Sequence, residues 1–129
     1  MADKEIIRTD RAPGPFQGAP YNQAIRIGDL VFVAGQLGMR LDSGDLAGPT
    51  VEEQTEQIMH NLGAILEAAG SGLDKLVKTT VFLLDLGDFA GMNEVYARHV
   101  GDRPPARSTV GIAALPSGAL VEIEAIAHA

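Results

Sequence analysis

Cysteine is absent from the 129 residues, and histidine occurs only three times, as His60, His99 and His128. Without cysteine the chain has no disulfide, no thiolate nucleophile and no Cys-ligated zinc. The three histidines are far apart in the sequence and form no metal-binding motif. The motifs G-x-x-x-x-G-K-[ST], G-x-G-x-x-G, H-E-x-x-H and G-x-S-x-G are absent as well. We therefore expect chemistry that needs no metal and no nucleotide.

Basic residues are also scarce, because ten Lys and Arg stand against seventeen Asp and Glu, a formal net charge of −7. This charge repels a nucleic-acid backbone on average, and no basic stripe is visible. No window approaches the roughly 18 uninterrupted apolar residues of a membrane span, and the N-terminus leads into no apolar signal region. We expect one globular domain over residues 1–129, in the cytoplasm, with a small-molecule partner, no nucleic acid and no membrane.

The first part of the chain predicts an arm followed by a β-hairpin. Residues 1–20 carry three prolines among glycines and polar residues without periodicity, which predicts an extended or looped N-terminal arm. Residues 23–27 and 30–36 have strand-like patterns, and Gly28 and Asp29 between them form a two-residue hairpin signal. Residues 39–49 are rich in turn formers and indicate a connection.

Two helices and three further strands are predicted after this connection. Thr50 and Glu53 have the spacing of a capping box, and Gly70 can end the first helix. Residues 76–84 are apolar on both faces and β-branched, as in a central strand, and Asp88 can cap the second helix. Two strands close the chain, at residues 107–113 and 119–127, separated by a hairpin-like break at 115–118.

This β-β-α-β-α-β-β order predicts an α+β fold, a two-layer sandwich of a mixed sheet with two helices on one face. Apolar side chains such as Val31 and Phe32 alternate between both faces of the predicted strands. Since two helices cover only one face, we infer a homo-oligomer that packs the bare sheet faces together. The alternative is that the N-terminal arm covers that face within one subunit.

Arg107 and Glu122 are the residues best suited to chemistry. Arg107 begins a strand after a proline-rich segment, and its planar guanidinium suits the carboxylate of an α-keto or α-imino acid. The alternative for Arg107 is a salt bridge to Glu122, Glu124 or Asp102. Glu122 and Glu124 share one face of the last strand, either as an acid/base pair or as a solvated edge.

Three further positions carry a weaker signal. Tyr21 lies at the start of the first strand, where it either lines a site or packs in the core. Asn93 lies on the apolar face of the second helix and needs a buried partner, which favours a structural role. Gly35 precedes Gln36 at the end of a strand, where it marks a bulge or the close approach of a ligand.

Several motifs together resemble the Rid family, also called RidA or YjgF. They are APYNQA (19–24), VAGQLG (33–38), VKTTVF (77–82), DF (88–89), Asn93, Tyr96, and PARS (105–108) followed by LP (115–116) and EIEA (122–125). The resemblance runs from about Pro20 to Ala127. Its most specific part is PARS with LP and EIEA at the right distance.

The resemblance implies a chorismate-mutase-like subunit assembled as a homotrimer, with three clefts between subunits. It also implies a cofactor-free deaminase of 2-iminobutanoate and 2-iminopropanoate, the enamine/imine intermediates that pyridoxal-phosphate enzymes release. In this family pattern Arg107 binds the substrate carboxylate and Glu122 positions or activates water. Tyr21, with the backbone around Gly35 and Thr109, lines the cleft.

The resemblance further implies that Asn93 supports a loop of the cleft. Two positions depart from the pattern of many members, because Ala34 replaces a serine and Thr109 replaces a cysteine. The missing hydroxyl at Ala34 removes one contact to water or substrate. The alternative function is therefore a non-catalytic member that binds small carboxylates or partner proteins in the same clefts.

Overall fold

The protein is described from a computed structural model that covers residues 3–129. It forms the predicted element order with one additional strand at its beginning. The elements are β1 (Glu5–Ile7), β2 (Ala24–Ile27), β3 (Leu30–Leu37), α1 (Val51–Ala68), β4 (Leu76–Leu83), α2 (Phe89–Val100), β5 (Ala106–Gly111) and β6 (Val121–His128). No helix in this part of the chain is long and apolar enough to cross a membrane.

All six strands form one sheet in the order β1-β2-β3-β6-β4-β5. The predicted hairpin of β2 and β3 is confirmed, with Ala24 opposite Val33 and Ile27 opposite Leu30. The predicted hairpin-like pairing of the last two strands is wrong, because β5 lies parallel to β4 and β6 lies between β3 and β4. A parallel pair needs a crossover connection, which α2 provides between β4 and β5.

The helix ends are set by local hydrogen bonds. The side chain of Thr50 accepts the N–H of Glu53 at 3.2 Å, as the capping box predicts, and Gly70 follows α1 with a φ of 80°. Asp88 precedes α2 as predicted, but its side chain makes no capping hydrogen bond. Instead Asp85 accepts the N–H of Gly87 at 2.8 Å, which stabilises the short 3₁₀ turn before the helix.

Both helices pack on the same face of the sheet, which gives the predicted two layers. Ile58, Leu62 and Ile65 of α1 and Met92 of α2 are fully buried in this core. The facing strands contribute alternate residues, and Val31, Val81, Val121 and Ile123 are likewise fully buried. The core therefore fixes which face of each strand is left for other contacts.

The opposite face of the sheet carries exposed apolar side chains. Ile27, Leu30, Phe32 and Val110 are each 40–43% exposed in one chain. Residues 3–20 of the N-terminal arm leave these four side chains exposed. Arg11 of the arm donates to the carboxylate of Glu67 and the carbonyl of Ala64 on α1, and Phe16 and Ala19 further along the arm line a cavity that also contains Glu122. The alternative in which the arm covers the bare face within one subunit is therefore wrong for these four side chains.

Candidate active site

Four of the predicted site residues line one cavity of about 410 Å³. These residues are Tyr21, Ala34, Gly35 and Glu122. Their elements meet there because β3 and β6 pair antiparallel, with Leu37 opposite Glu122, while the segment before β2 brings Tyr21 alongside. The sequence therefore places the carboxylate, the aromatic ring and the glycine in one concave surface.

Gly35 lies at a bulge that lets the Glu122 side chain approach the β3 backbone. The register between β3 and β6 shifts between Val33 and Gln36, which confirms the bulge expected from the glycine. A Cβ at position 35 would stand 2.9 Å from both Cδ and Oε2 of Glu122. Any side chain at this position would displace the carboxylate, so the glycine is required for the geometry of the cavity.

Glu122 is partly buried on the open face of the sheet, opposite Phe82 of β4. Burial raises the pKa of its carboxyl, and the negative charge of Glu124 raises that pKa further. A carboxylate with a raised pKa exchanges protons more readily near neutral pH than an ordinary surface glutamate. Glu122 can therefore act on a proton of water or substrate in the cavity.

Tyr21 belongs to the rim of this cavity and is 41% exposed, so it is not a core residue. Its hydroxyl oxygen accepts the backbone N–H of Phe16 at 2.6 Å. This bond ties the tyrosine to the 3₁₀ turn Phe16–Gly18. The O–H proton of Tyr21 remains available to a molecule in the cavity.

Arg107 lies at a second cavity, together with Asn93. Its guanidinium carbon is 4.9 Å from the ring centroid of Tyr96 and 5.5 Å from that of Phe89, which are cation–π contacts. Within residues 3–129 no carboxylate forms an ion pair with Arg107. The alternative of a salt bridge to an acidic neighbour is therefore wrong, and the cation is free to bind an anion.

The aromatic support of Arg107 is itself fixed in the core. The hydroxyls of Tyr96 and Thr79 are hydrogen-bonded at 2.6 Å in a buried position. Burial raises the pKa of Tyr96, so this hydroxyl stays neutral beside the cation. The guanidinium thus lies over a Tyr96 ring that is hydrogen-bonded to the sheet.

A single chain does not bring Arg107 and Glu122 together. Arg107 on β5 is in register with Thr79, which faces the helices, whereas Glu122 on β6 is in register with Phe82 on the open face. Strand β4 lies between the two strands. The two residues therefore belong to separate cavities on opposite faces of the sheet.

Comparison with known proteins identifies the family. A family model described as endoribonuclease L-PSP matches residues 11–129. The chain belongs to the Rid family. Its relatives include Reactive Intermediate Deaminase A of Arabidopsis thaliana, a chloroplast protein, which is 46% identical over 124 residues, covering 96% of this chain and 65% of that one. The resemblance seen in the sequence motifs is thus confirmed.

Further Rid relatives match over nearly the full chain. The 2-iminobutanoate/2-iminopropanoate deaminase of Homo sapiens is 41% identical over 124 residues, covering 96% of this chain and 89% of that one. The crystal structure of RidA from the Antarctic bacterium Psychrobacter sp. superposes with a TM-score of 0.92 at 42% identity, covering 97% of this chain and 99% of that one. The α+β fold is therefore that of Rid proteins.

Two predicted residues have surroundings that the sequence did not indicate. The Asn93 side-chain oxygen is buried and accepts no hydrogen bond within residues 3–129. The Thr109 hydroxyl is buried without a partner in the same part of the chain and lines neither cavity. Phe89 and Tyr96 belonged to the motifs that resemble the Rid family, but the sequence did not indicate their contacts with Arg107.

Proposed function

We propose that this protein is a cofactor-free deaminase that hydrolyses 2-imino acids, including 2-iminobutanoate and 2-iminopropanoate, to 2-keto acids and ammonia. These imines and their enamine tautomers are released by pyridoxal-phosphate enzymes, and we place the activity in the cytoplasm. The observation that carries the proposal is the Glu122 carboxylate, whose pKa is raised, in a cavity beside Gly35. The deaminase names of the Rid relatives support the reaction class.

The proposal includes a homotrimer whose sites lie between subunits. Each chain offers Glu122 and Tyr21 at one cavity and, at another, Arg107, which has no ion-pair partner within residues 3–129. The exposed apolar face of the sheet supports association, because burying it removes apolar surface from water. In a closed ring, Arg107 of one subunit faces the Glu122 cavity of the next, and three sites result.

Arg107 binds the carboxylate of the substrate. A guanidinium donates two parallel hydrogen bonds to a carboxylate, and cation–π contacts with Phe89 and Tyr96 support the Arg107 side chain. The imine carbon is adjacent to the bound carboxylate and is already electrophilic when the nitrogen is protonated. Orientation of the substrate and of one water molecule then supplies most of the catalysis.

Glu122 moves the protons. It accepts a proton from water as the water oxygen bonds to the imine carbon and the C=N π electrons move to nitrogen, which gives a carbinolamine. Glu122 then returns this proton to the amino group. The C–N bond breaks with its electrons going to nitrogen, so ammonia leaves while the hydroxyl passes its proton to Glu122. Glu122 hands this proton to the ammonia, and the products are a 2-keto acid and an ammonium ion. The raised pKa of Glu122 suits both directions of transfer.

A second candidate function is that of a binding protein for small carboxylates or for a partner protein. Ala34 favours it, since a methyl group at the cavity wall cannot hydrogen-bond water or substrate. Action on RNA is disfavoured by the net charge of −7.

The rate of imine decay tests the proposal. 2-Iminobutanoate is made in the cuvette with an amino-acid oxidase, and the surviving imine is trapped as its semicarbazone. Wild-type protein accelerates the decay, whereas Arg107→Ala lowers kcat/KM by about 100-fold or more. Arg103→Ala is the matched control, because Arg103 is exposed in the preceding turn and should leave the rate unchanged. Wild-type protein that binds 2-oxobutanoate without accelerating decay would establish the second candidate instead.

A further inference from the structure

Most of the cavity beside Glu122 is apolar. Its apolar walls come from the 3₁₀ turn before β2, the end of β3 and the segment after it, and the turn before β6. The side chains are those of Phe16, Ala34, Leu37, Met39 and Pro116. In one chain these walls line an open groove of about 410 Å³, which has more room than a methyl group needs.

The other polar side chains at the cavity wall already have partners. The Gln23 amide nitrogen lies within 3.1 Å of three backbone carbonyls of the N-terminal arm, which its two N–H groups share, and its oxygen accepts the N–H of Thr9. Gln36 donates to the carbonyl of Ala34 at 3.0 Å, and the Tyr21 oxygen accepts a backbone N–H at 2.6 Å. A polar substrate side chain would therefore have to compete for occupied groups, approach Glu122, or reach the O–H proton of Tyr21 at the rim rather than bond the apolar walls.

Charge decides which end of a 2-imino acid enters the cavity. Within residues 3–129 no lysine or arginine lines it, and Glu122 is its acidic group. The substrate carboxylate is repelled from this wall and must lie at the mouth, where Arg107 of a neighbouring subunit would bind it. With the imine carbon near Glu122, the remaining substituent, the side chain, points to the apolar walls.

We propose that this cavity selects 2-imino acids whose side chain is apolar and longer than methyl, such as propyl or isobutyl. The inference rests on the proposed function and names the preferred substrate class of the same site. Each added methylene that leaves water contributes about a fourfold gain in kcat/KM. A hydroxyl in place of the terminal methyl lowers kcat/KM by about tenfold to 100-fold, because the apolar walls offer it no hydrogen bond.

The test compares three imines that share the reacting group. They are 2-iminopropanoate, 2-iminopentanoate and 2-imino-4-hydroxybutanoate, and the last two have side chains of nearly equal size. We expect kcat/KM to be highest for 2-iminopentanoate. Met39→Gln should lower the ratio of kcat/KM for 2-iminopentanoate to kcat/KM for 2-imino-4-hydroxybutanoate by about tenfold. Leu41→Gln is the matched control, since Leu41 is 53% exposed two residues away and does not line the cavity.

The affinities of the stable 2-keto acid products give a second readout that does not need turnover. 2-Oxopentanoate should bind more tightly than pyruvate and than 2-oxo-4-hydroxybutanoate in calorimetry. Equal kcat/KM values, or a preference for the hydroxyl analogue, would overturn the inference while leaving the deaminase intact. No acceleration of any imine, with the expected order of keto-acid affinities, would overturn the proposed function and support the selectivity of the cavity.

Discussion

Mixing two inactive variants should restore part of the activity if the site lies between subunits. Arg107→Ala removes the cation from one cavity of a chain, and Glu122→Gln removes the proton acceptor from the other. Because one chain holds these residues on opposite faces of its sheet, each variant retains one complete half of a site. A trimer containing both variants can then join an intact Arg107 to an intact Glu122.

The expected activity of the mixture follows from the number of intact sites in each kind of trimer. Each mixed trimer has one intact site among three, whichever variant is in the majority. With equal amounts and random assembly about three-quarters of the trimers are mixed, so the preparation should reach about one quarter of wild-type activity. Each variant alone should stay near the spontaneous rate of imine decay.

The assay uses the two variants unfolded together, refolded and assayed with 2-iminobutanoate. Two controls are needed: wild-type protein taken through the same procedure, and the two folded variants mixed without unfolding. A refolded mixture that stays at the level of the separate variants would refute the assignment of Arg107 and Glu122 to different chains of one site.

Three further predictions concern pH and the glycine of the cavity. Glu124→Gln should shift the acidic limb of the kcat/KM profile to lower pH, because the charge of Glu124 raises the pKa of Glu122, whose ionised form accepts the proton. The hydrogen bond from His99 lowers the pKa of Glu56, so Glu56 contributes stability that is present above its unfolded pKa of about 4.3 and is lost as pH falls through the lower folded pKa. Glu56→Gln should flatten this acid dependence in thermal melts. Gly35→Ala should lower kcat/KM by about tenfold to 100-fold with little change in melting temperature, since the new Cβ displaces only the Glu122 side chain.

Each of these has an outcome that contradicts it. An acidic limb that stays in place or moves upward in Glu124→Gln would show that Glu124 does not act on Glu122. Equal acid sensitivity of wild type and Glu56→Gln would show that the Glu56 carboxyl does not contribute to the pH dependence of stability. For Gly35→Ala the control is Gly63→Ala inside α1, where the added Cβ meets only ordinary contacts, so activity should be unchanged and stability should rise by up to about 1 kcal/mol.

Local patterns predicted most of the elements. The Gly28-Asp29 turn defined the β2–β3 hairpin, and the Thr50 cap with Gly70 bounded α1, because these signals act within a few residues. Strand β1 was not predicted, since its three residues form a strand only by pairing with the edge of β2. Pairing of distant segments is not encoded in local periodicity.

The order of the last two strands shows the same limit. Residues 115–118 have turn chemistry, which fits both a hairpin and a connection that passes over a neighbouring strand. Which of the two forms depends on where β5 pairs after α2 has crossed the sheet. Here β5 lies on the far side of β4 from β6, and that position is a property of the packed core. A short break between two strand patterns therefore did not determine their pairing.

The identity of the site residues could be predicted from the sequence, but their positions relative to one another could not. Arg107, Glu122 and Tyr21 were found because their motifs resemble those of Rid proteins, and the bulge at Gly35 followed from a glycine in a strand. The separation of Arg107 from Glu122 could not be seen, because it depends on which face each strand turns to the helices. The cation–π contacts of Arg107 likewise depend on how α2 packs on the sheet.

A crystal structure of the protein with 2-oxobutanoate tests the central claim most directly. The account predicts that the keto-acid carboxylate lies within hydrogen-bonding distance of Arg107 of one protomer, while its carbonyl carbon faces Glu122 and Gly35 of the neighbouring protomer. A keto acid bound by Arg107 and Glu122 of the same chain, or bound away from both residues, would contradict it.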